Sequence, residues 1–176
     1  MKNNSPEIKL VLLEKSDREK FISDNQEAFN YGALEEFGRR DEHFEEDENI
    51  ISRETIEHLI DGGTAYRIIL GGEKAGGAVV KIKEDHGELE LLFVAPEHHS
   101  KGIGYAAWCE IEKMYPDVRV WETYTPYFET RNIHFYVNRC GFQIVEFFNE
   151  FHPVADDSGI SDEDNEGVFR FVKEIL

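Results

Sequence analysis

The residues most able to do chemistry lie between Leu89 and Gly104, which read Leu-Glu-Leu-Leu-Phe-Val-Ala-Pro-Glu-His-His-Ser-Lys-Gly-Ile-Gly. An apolar strand pattern ends at Val94, a polar loop follows, and Gly102-Ile103-Gly104 opens a helix pattern. Such a junction presents several backbone N–H groups that have no helical partner, and the helix dipole adds positive potential there. This is an anion site suited to a pyrophosphate, with glycines keeping side chains out of the way of phosphate oxygens. An isolated Gly-x-Gly is also a common turn; the order of strand, polar loop and apolar-faced helix is what favours the anion site. Gly102-Ile103-Gly104-Tyr105-Ala106-Ala107 fits a dinucleotide fingerprint by letter, with Glu122 as the ribose-binding acid. The spacing opposes that reading, because a dinucleotide fold turns almost directly from strand into its first Gly. No Gly-Lys-Ser or Gly-Lys-Thr exists for a triphosphate loop.

The elements that position this stretch follow from pattern. Ile8–Leu13 reads as a strand, and Ser16 with Glu19 supplies a capping box for a helix with Phe21, Ile22, Ala28 and Phe29 on one side. Ser52 caps a short helix carrying Ile56, Leu59 and Ile60, which Asp61-Gly62-Gly63 stops. Tyr66–Leu70, Gly76–Ile82 and Glu88–Val94 form a meander, separated by Gly- and Asp-containing turns. Beyond it, Gly102–Met114 is a helix, Val118–Thr123 a strand, and a helix from about Phe128 carries Ile133, Tyr136, Val137 and Cys140 before Gly141. Phe142–Phe151 and Val168–Val172 close the sheet. The expected fold class is α/β: an antiparallel meander continuing into a βαβαβ section, with helices on both faces of a mixed sheet in a single domain, 1–176.

At these residues the sequence resembles the GNAT superfamily of acyl-CoA N-acyltransferases. Val94-Ala95-Pro96 followed by His99-Ser100-Lys101-Gly102-Ile103-Gly104 is similar to that family's Val-x-Pro and Gly-x-Gly loop, with His99 where Arg or Gln is usual. Phe135-Tyr136 followed by Gly141-Phe142 is similar to its second motif, with Glu129 and Asn132 where Asn and Ala are common. The resemblance spans the strand at Ile8 to the strand at Val172. It implies that Leu92, Phe93 and Val94 offer backbone hydrogen bonds to an acetyl-pantetheine arm. It also implies that Ser100, Lys101, Gly102, Ile103, Gly104 and Tyr105 hold the pyrophosphate of acetyl-CoA, the co-substrate, and that Tyr136 acts as general acid toward the departing thiolate.

Direct attack by an amine needs a base as well as that acid. Glu90 shares strand parity with Leu92 and Val94, and Glu122 lies on the neighbouring strand; either is a candidate to deprotonate an ammonium. Each is also a common kind of exposed strand acid, and Tyr136 sits on an apolar face where it can simply pack. His98, His99, His134 and His152 lack the spacing of a metal set, so no metal is expected. Asp162–Gly167 resembles a calcium loop, but Lys173 stands where its bidentate Glu is required.

Composition bounds the rest. A 40% hydrophobic share with 13 Phe and 7 Tyr fits a folded domain, and Cys109 and Cys140 are too few for a disulfide framework. The formal charge is −18, and six acids fall in Asp41–Glu48 and six in Asp156–Glu166, with no Lys or Arg among them. These segments read as acidic loops. They disfavour nucleic acid and favour either solubility or a cationic small-molecule or peptide amine as acceptor. With no long apolar run and no signal-peptide pattern from Met1 to Pro6, no membrane association and a cytoplasmic location are expected. The acceptor, the acyl chain length and the oligomeric state, a homodimer included, are left open. The competing functions are a non-catalytic acyl-CoA-binding or regulatory module and an NAD-dependent oxidoreductase.

Overall fold

A computed structural model describes residues 5–37, 49–155 and 167–176. Both acidic segments, 41–48 and 156–166, and the calcium-like stretch from Asp162 to Glu166 therefore lie outside the described residues. The chain folds as β1 (Ile8–Leu12), α1 (Arg18–Phe37), α2 (Arg53–Gly62), β2 (Thr64–Leu70), β3 (Glu73–Lys83), β4 (His86–Val94) and α3 (Ile103–Met114). It continues as β5 (Val120–Pro126), α4 (Thr130–His134), β6 (Gln143–Phe148) and β7 (Val168–Glu174). The strands form a seven-stranded mixed sheet in the order β1-β2-β3-β4-β5-β7-β6. Two compact units divide these elements, Met1–Lys81 with Leu89–Tyr115, and Ile82–Glu88 with Pro116–Leu176. Among the described residues, no helix is long and apolar enough to cross a membrane.

In the first unit the hairpin turns explain the meander. Gly71 and Gly72 both take positive φ, +56° and +83°, the pair of values a two-residue turn matching strand twist requires, so β2 and β3 extend almost to the turn. Along β4 burial alternates, with Leu89, Leu91 and Phe93 on one face and Glu90, Leu92 and Val94 on the other. Leu91 and Phe93 pack with Phe21, Ile22 and Ala28 of α1 and Ile56 of α2. Leu92 and Val94 pack against Ile103, Ala106 and Ala107 of α3 together with Ile8, Ile68 and Ala75. Helices thus cover both faces of this part of the sheet. A Cβ on Gly76 would lie 2.1 Å from the Phe93 carbonyl oxygen, so only glycine lets β3 approach the end of β4 this closely.

The cap of α2 forms as expected, Thr55 donating its amide to Ser52 Oγ at 3.1 Å. The capping box of α1 does not. A turn of 3-10 helix over Lys15–Asp17 precedes α1, so Ser16 lies inside the turn and its hydroxyl meets Glu14, while Glu19 is drawn to Arg53 at 2.8 Å. Asp17 instead turns inward, accepting from Arg67 Nε at 2.7 Å and from Lys74 at 2.6 Å. Arg67 is 2% exposed, reaches Asp24 at 3.1 Å and lies over the Phe21 ring.

In the second unit β4 and β5 pair in parallel from His86↔Val120 to Glu88↔Glu122. β7 lies between β5 and β6 and is antiparallel to both. The last strand is therefore inserted into the sheet instead of added at its edge. The helix foreseen from Phe128 is a short α4 that widens into a π-helical turn over Phe135–Cys140, ended by Gly141 at φ +84°. Tyr136, Phe142 and Phe171 pack ring on ring in the core of this unit.

Candidate active site

The loop between β4 and α3 is built from local bonds. Ala95 donates its amide to Ala75 at 2.8 Å, and a single 3-10 turn over Pro96–His98 is closed by His98 N to Ala95 O and His99 N to Pro96 O. Ser100 and Gly102 then take left-handed conformations, at φ +63° and +74°. The first helical hydrogen bond of α3 is made by Ala106 to the Gly102 carbonyl at 3.0 Å, and no side chain caps the helix. The amides of Ile103 and Gly104 therefore stand ahead of the helical bonding pattern at the positive end of a twelve-residue helix. Positive-φ residues leading into the free amides of a helix start are the kind of backbone that can receive an anion. Leu92 and Val94 are partly buried and Phe93 is 3% exposed, and the strand continues through them beyond its last pair with β5 at Glu88.

His99 departs from the usual loop residue, and the structure gives it a bond that the sequence did not suggest: its Nε2 lies 2.7 Å from the Val94 carbonyl oxygen. Lys101 lies in the loop between the two left-handed residues, and Tyr105 belongs to the first turn of α3. Glu90 sits on the Leu92 and Val94 face of β4, as its parity requires, and is partly buried.

The other candidates lie in the second unit. Tyr136 is 8% exposed on the π-helical turn, between the rings of Phe135, Phe142 and Phe171. Burial raises its phenol pKa, the nearby Cys140 adds to this, and a hydrogen bond with Thr123 opposes it, so the phenol keeps its proton at neutral pH. Glu122 is 7% exposed and fully engaged. His86 Nε2 meets one carboxylate oxygen at 2.8 Å, while Tyr124 donates to the other at 2.6 Å and Arg170 at 3.1 Å. Burial is the largest single effect and favours the neutral acid, but these donors together outweigh it and hold the carboxyl below its ordinary range.

Glu122 thus belongs to a chain of hydrogen bonds that runs on through Arg170 to Glu146, at 3.0 Å, and from Glu146 to His152, at 2.7 Å. Sequence reading missed this network, because His86, Glu122 and Arg170 are brought together only by strand order. The one available signal was period-two parity within each strand. His86, Glu88 and Glu122 also place ligand-type atoms within 4.8 Å of one another, with Arg170 bonded to Glu122 as a competing cation.

Comparison with known proteins agrees with the fold. The acetyltransferase (GNAT) family pattern matches residues 20–142. The chain is 44% identical to the uncharacterized protein YrkN of Bacillus subtilis (strain 168), over 97% of this chain and 95% of that protein. Among solved structures it is similar to the PaiA N-acetyltransferase of Thermoplasma acidophilum in complex with coenzyme A, with 19% identity, coverage of 96% and 99% of the two chains and a TM-score of 0.66. A Bacillus subtilis acetyltransferase in complex with CoA matches at 18% identity, 97% and 100% coverage and the same TM-score of 0.66. With its meander, inserted last strand and uncapped helix start behind a Gly-x-Gly loop, the chain belongs to the acetyltransferase (GNAT) family.

Proposed function

We propose that this protein transfers the acetyl group of acetyl-CoA to an amine by direct attack, with a cationic small molecule or a peptide amine as acceptor. The observation that carries the reading is the uncapped start of α3 behind left-handed Ser100 and Gly102, in a chain of this family. Free amides at a helix start favour a diphosphate, and the similar structures from Thermoplasma acidophilum and Bacillus subtilis were solved with coenzyme A. When bound, acetyl-CoA supplies an acetyl group activated as a thioester.

The chain's own groups then divide the work. Backbone amides from Ser100 to Tyr105 hold the anionic end, and the backbone of Leu92, Phe93 and Val94 aligns the extended arm. Glu122 is held as a carboxylate by three donors and is a weak proton acceptor, so the base role falls to Glu90, on the Leu92 and Val94 face of β4. Tyr136 keeps its proton and supplies it as general acid. The formal charge of −18 supports a cationic acceptor. The second reading is an acyl-CoA-binding module without turnover, and the observation in its favour is the burial of Tyr136 among phenylalanine rings.

Thiol release from acetyl-CoA across a panel of polyamines, aminoglycosides and peptide N-termini tests the proposal. Turnover with one amine class is the expected result; silence with every class, from a protein that binds CoA, would favour the module.

A further inference from the structure

We propose that His99 is a positioning residue for the cofactor loop, a strap whose Nε2–H ties the end of β4 to the residue ahead of Ser100. The inference rests on the acetyl-CoA reading above. A carbonyl oxygen can only accept, so the 2.7 Å contact with Val94 O requires the hydrogen on Nε2. In the neutral ring Nδ1 then carries the lone pair, and it is buried without a hydrogen-bond partner. The ring is held on a second side by Tyr31 of α1, edge-on at 5.4 Å.

The main chain of the same segment is closed by Ala95 N to Ala75 O and by His99 N to Pro96 O. With His99 fixed by backbone, ring and side chain, Ser100 is directed into a conformation that residues other than glycine seldom adopt, at φ +63°. The loop keeps its anion-receiving shape before any ligand arrives, and a preorganised loop binds more tightly because less ordering remains to be done on binding. Only a donor of this reach is needed, so glutamine is the conservative replacement.

Two measurements on the full chain test the strap. Nitrogen-15 spectra of the ligand-free protein should show His99 with a pyrrole-like Nε2 and a pyridine-like Nδ1; the opposite tautomer would overturn the strap whatever the protein binds. Calorimetric titration with CoA should show His99→Ala weakening binding about three- to tenfold, the loss expected for one hydrogen bond, with His99→Gln restoring most of it. Melting temperatures of both variants separate loop shape from general stability. Equal CoA affinity in wild type and His99→Ala overturns the proposal, as does a His99→Gln variant that is as weak as the alanine. A folded wild type with the expected tautomer that binds no CoA would instead bring down the acetyl-CoA reading and leave the strap nothing to position.

Discussion

Replacing Gly102 with alanine separates backbone strain from ligand contact. Gly102 sits at φ +74°, ψ 15°, where a residue with a Cβ costs about 1–2 kcal/mol relative to glycine. Space is not the difficulty, since among the described residues the new Cβ would meet only Pro6 Cδ, at 3.8 Å. The expected stability loss is therefore about 1–2 kcal/mol, or roughly 2–4 °C in melting temperature for each kcal/mol in a chain of this size. Ligand binding should suffer more. Alanine relieves the strain by leaving the left-handed conformation that leads into the amides of Ile103 and Gly104, and disturbing charge-assisted bonds worth about 1.5–3 kcal/mol predicts a roughly tenfold to hundredfold weaker CoA. Gly71→Ala is the matched control, because Gly71 takes φ +56° in the β2–β3 turn and no atom of the described residues comes within 4 Å of a Cβ built there. Urea unfolding and calorimetric CoA titration of both variants provide the assay. Similar destabilisation in the two, with CoA binding weakened only in Gly102→Ala, is the prediction; unchanged CoA affinity in Gly102→Ala would refute the reasoning.

Other perturbations address the remaining groups. Arg67→Leu leaves Asp17 and Asp24 with only the more exposed Lys74 and Lys20 as partners, and should cost, in urea unfolding, toward the lower end of the about 3–5 kcal/mol of a fully stranded buried charge. Tyr136→Phe should lower kcat while CoA affinity stays within about twofold, as a titration beside a rate assay would show. Asp17 and Glu122 both have depressed carboxyl pKa values; for Asp17 burial is the largest single effect and opposes this, but the bonds and charges of Arg67 and Lys74 together outweigh it. Groups of this kind stabilise the fold fully above their ordinary pKa of about 4, and that contribution fades as pH falls through the lower folded value. Melting temperature should hold level above about pH 5 and drop below about pH 4; replacing either residue with its amide should flatten that drop.

What could be read from the sequence was local. The Gly71-Gly72 turn, the Ser52 cap and the parity of Glu90 with Leu92 and Val94 each depend on neighbours within a few residues, and each appears in the structure. The Ser16 box failed because Ser16 lies inside a 3-10 turn, whose Asp17 is bonded to Arg67 fifty residues away, and because Glu19 was claimed by Arg53 thirty-four residues away. The insertion of β7 between β5 and β6 leaves no local trace; the contact of Arg170 with Glu122 follows from it, and that of His86 with Glu122 from the parallel pairing of β4 and β5. His99 stood out as an unusual residue in the loop, but its bond to Val94 depends on a 3-10 turn that only the folded backbone defines.

The central claim is that the loop from Val94 to Gly104 takes acetyl-CoA. Thermal unfolding of the full chain with acetyl-CoA or with NAD, each at the same excess, tests it most directly. A ligand present at a hundred times its Kd stabilises by about 2.7 kcal/mol, so acetyl-CoA should raise the melting temperature by several degrees while NAD leaves it where it was. Stabilisation by NAD alone would contradict the account.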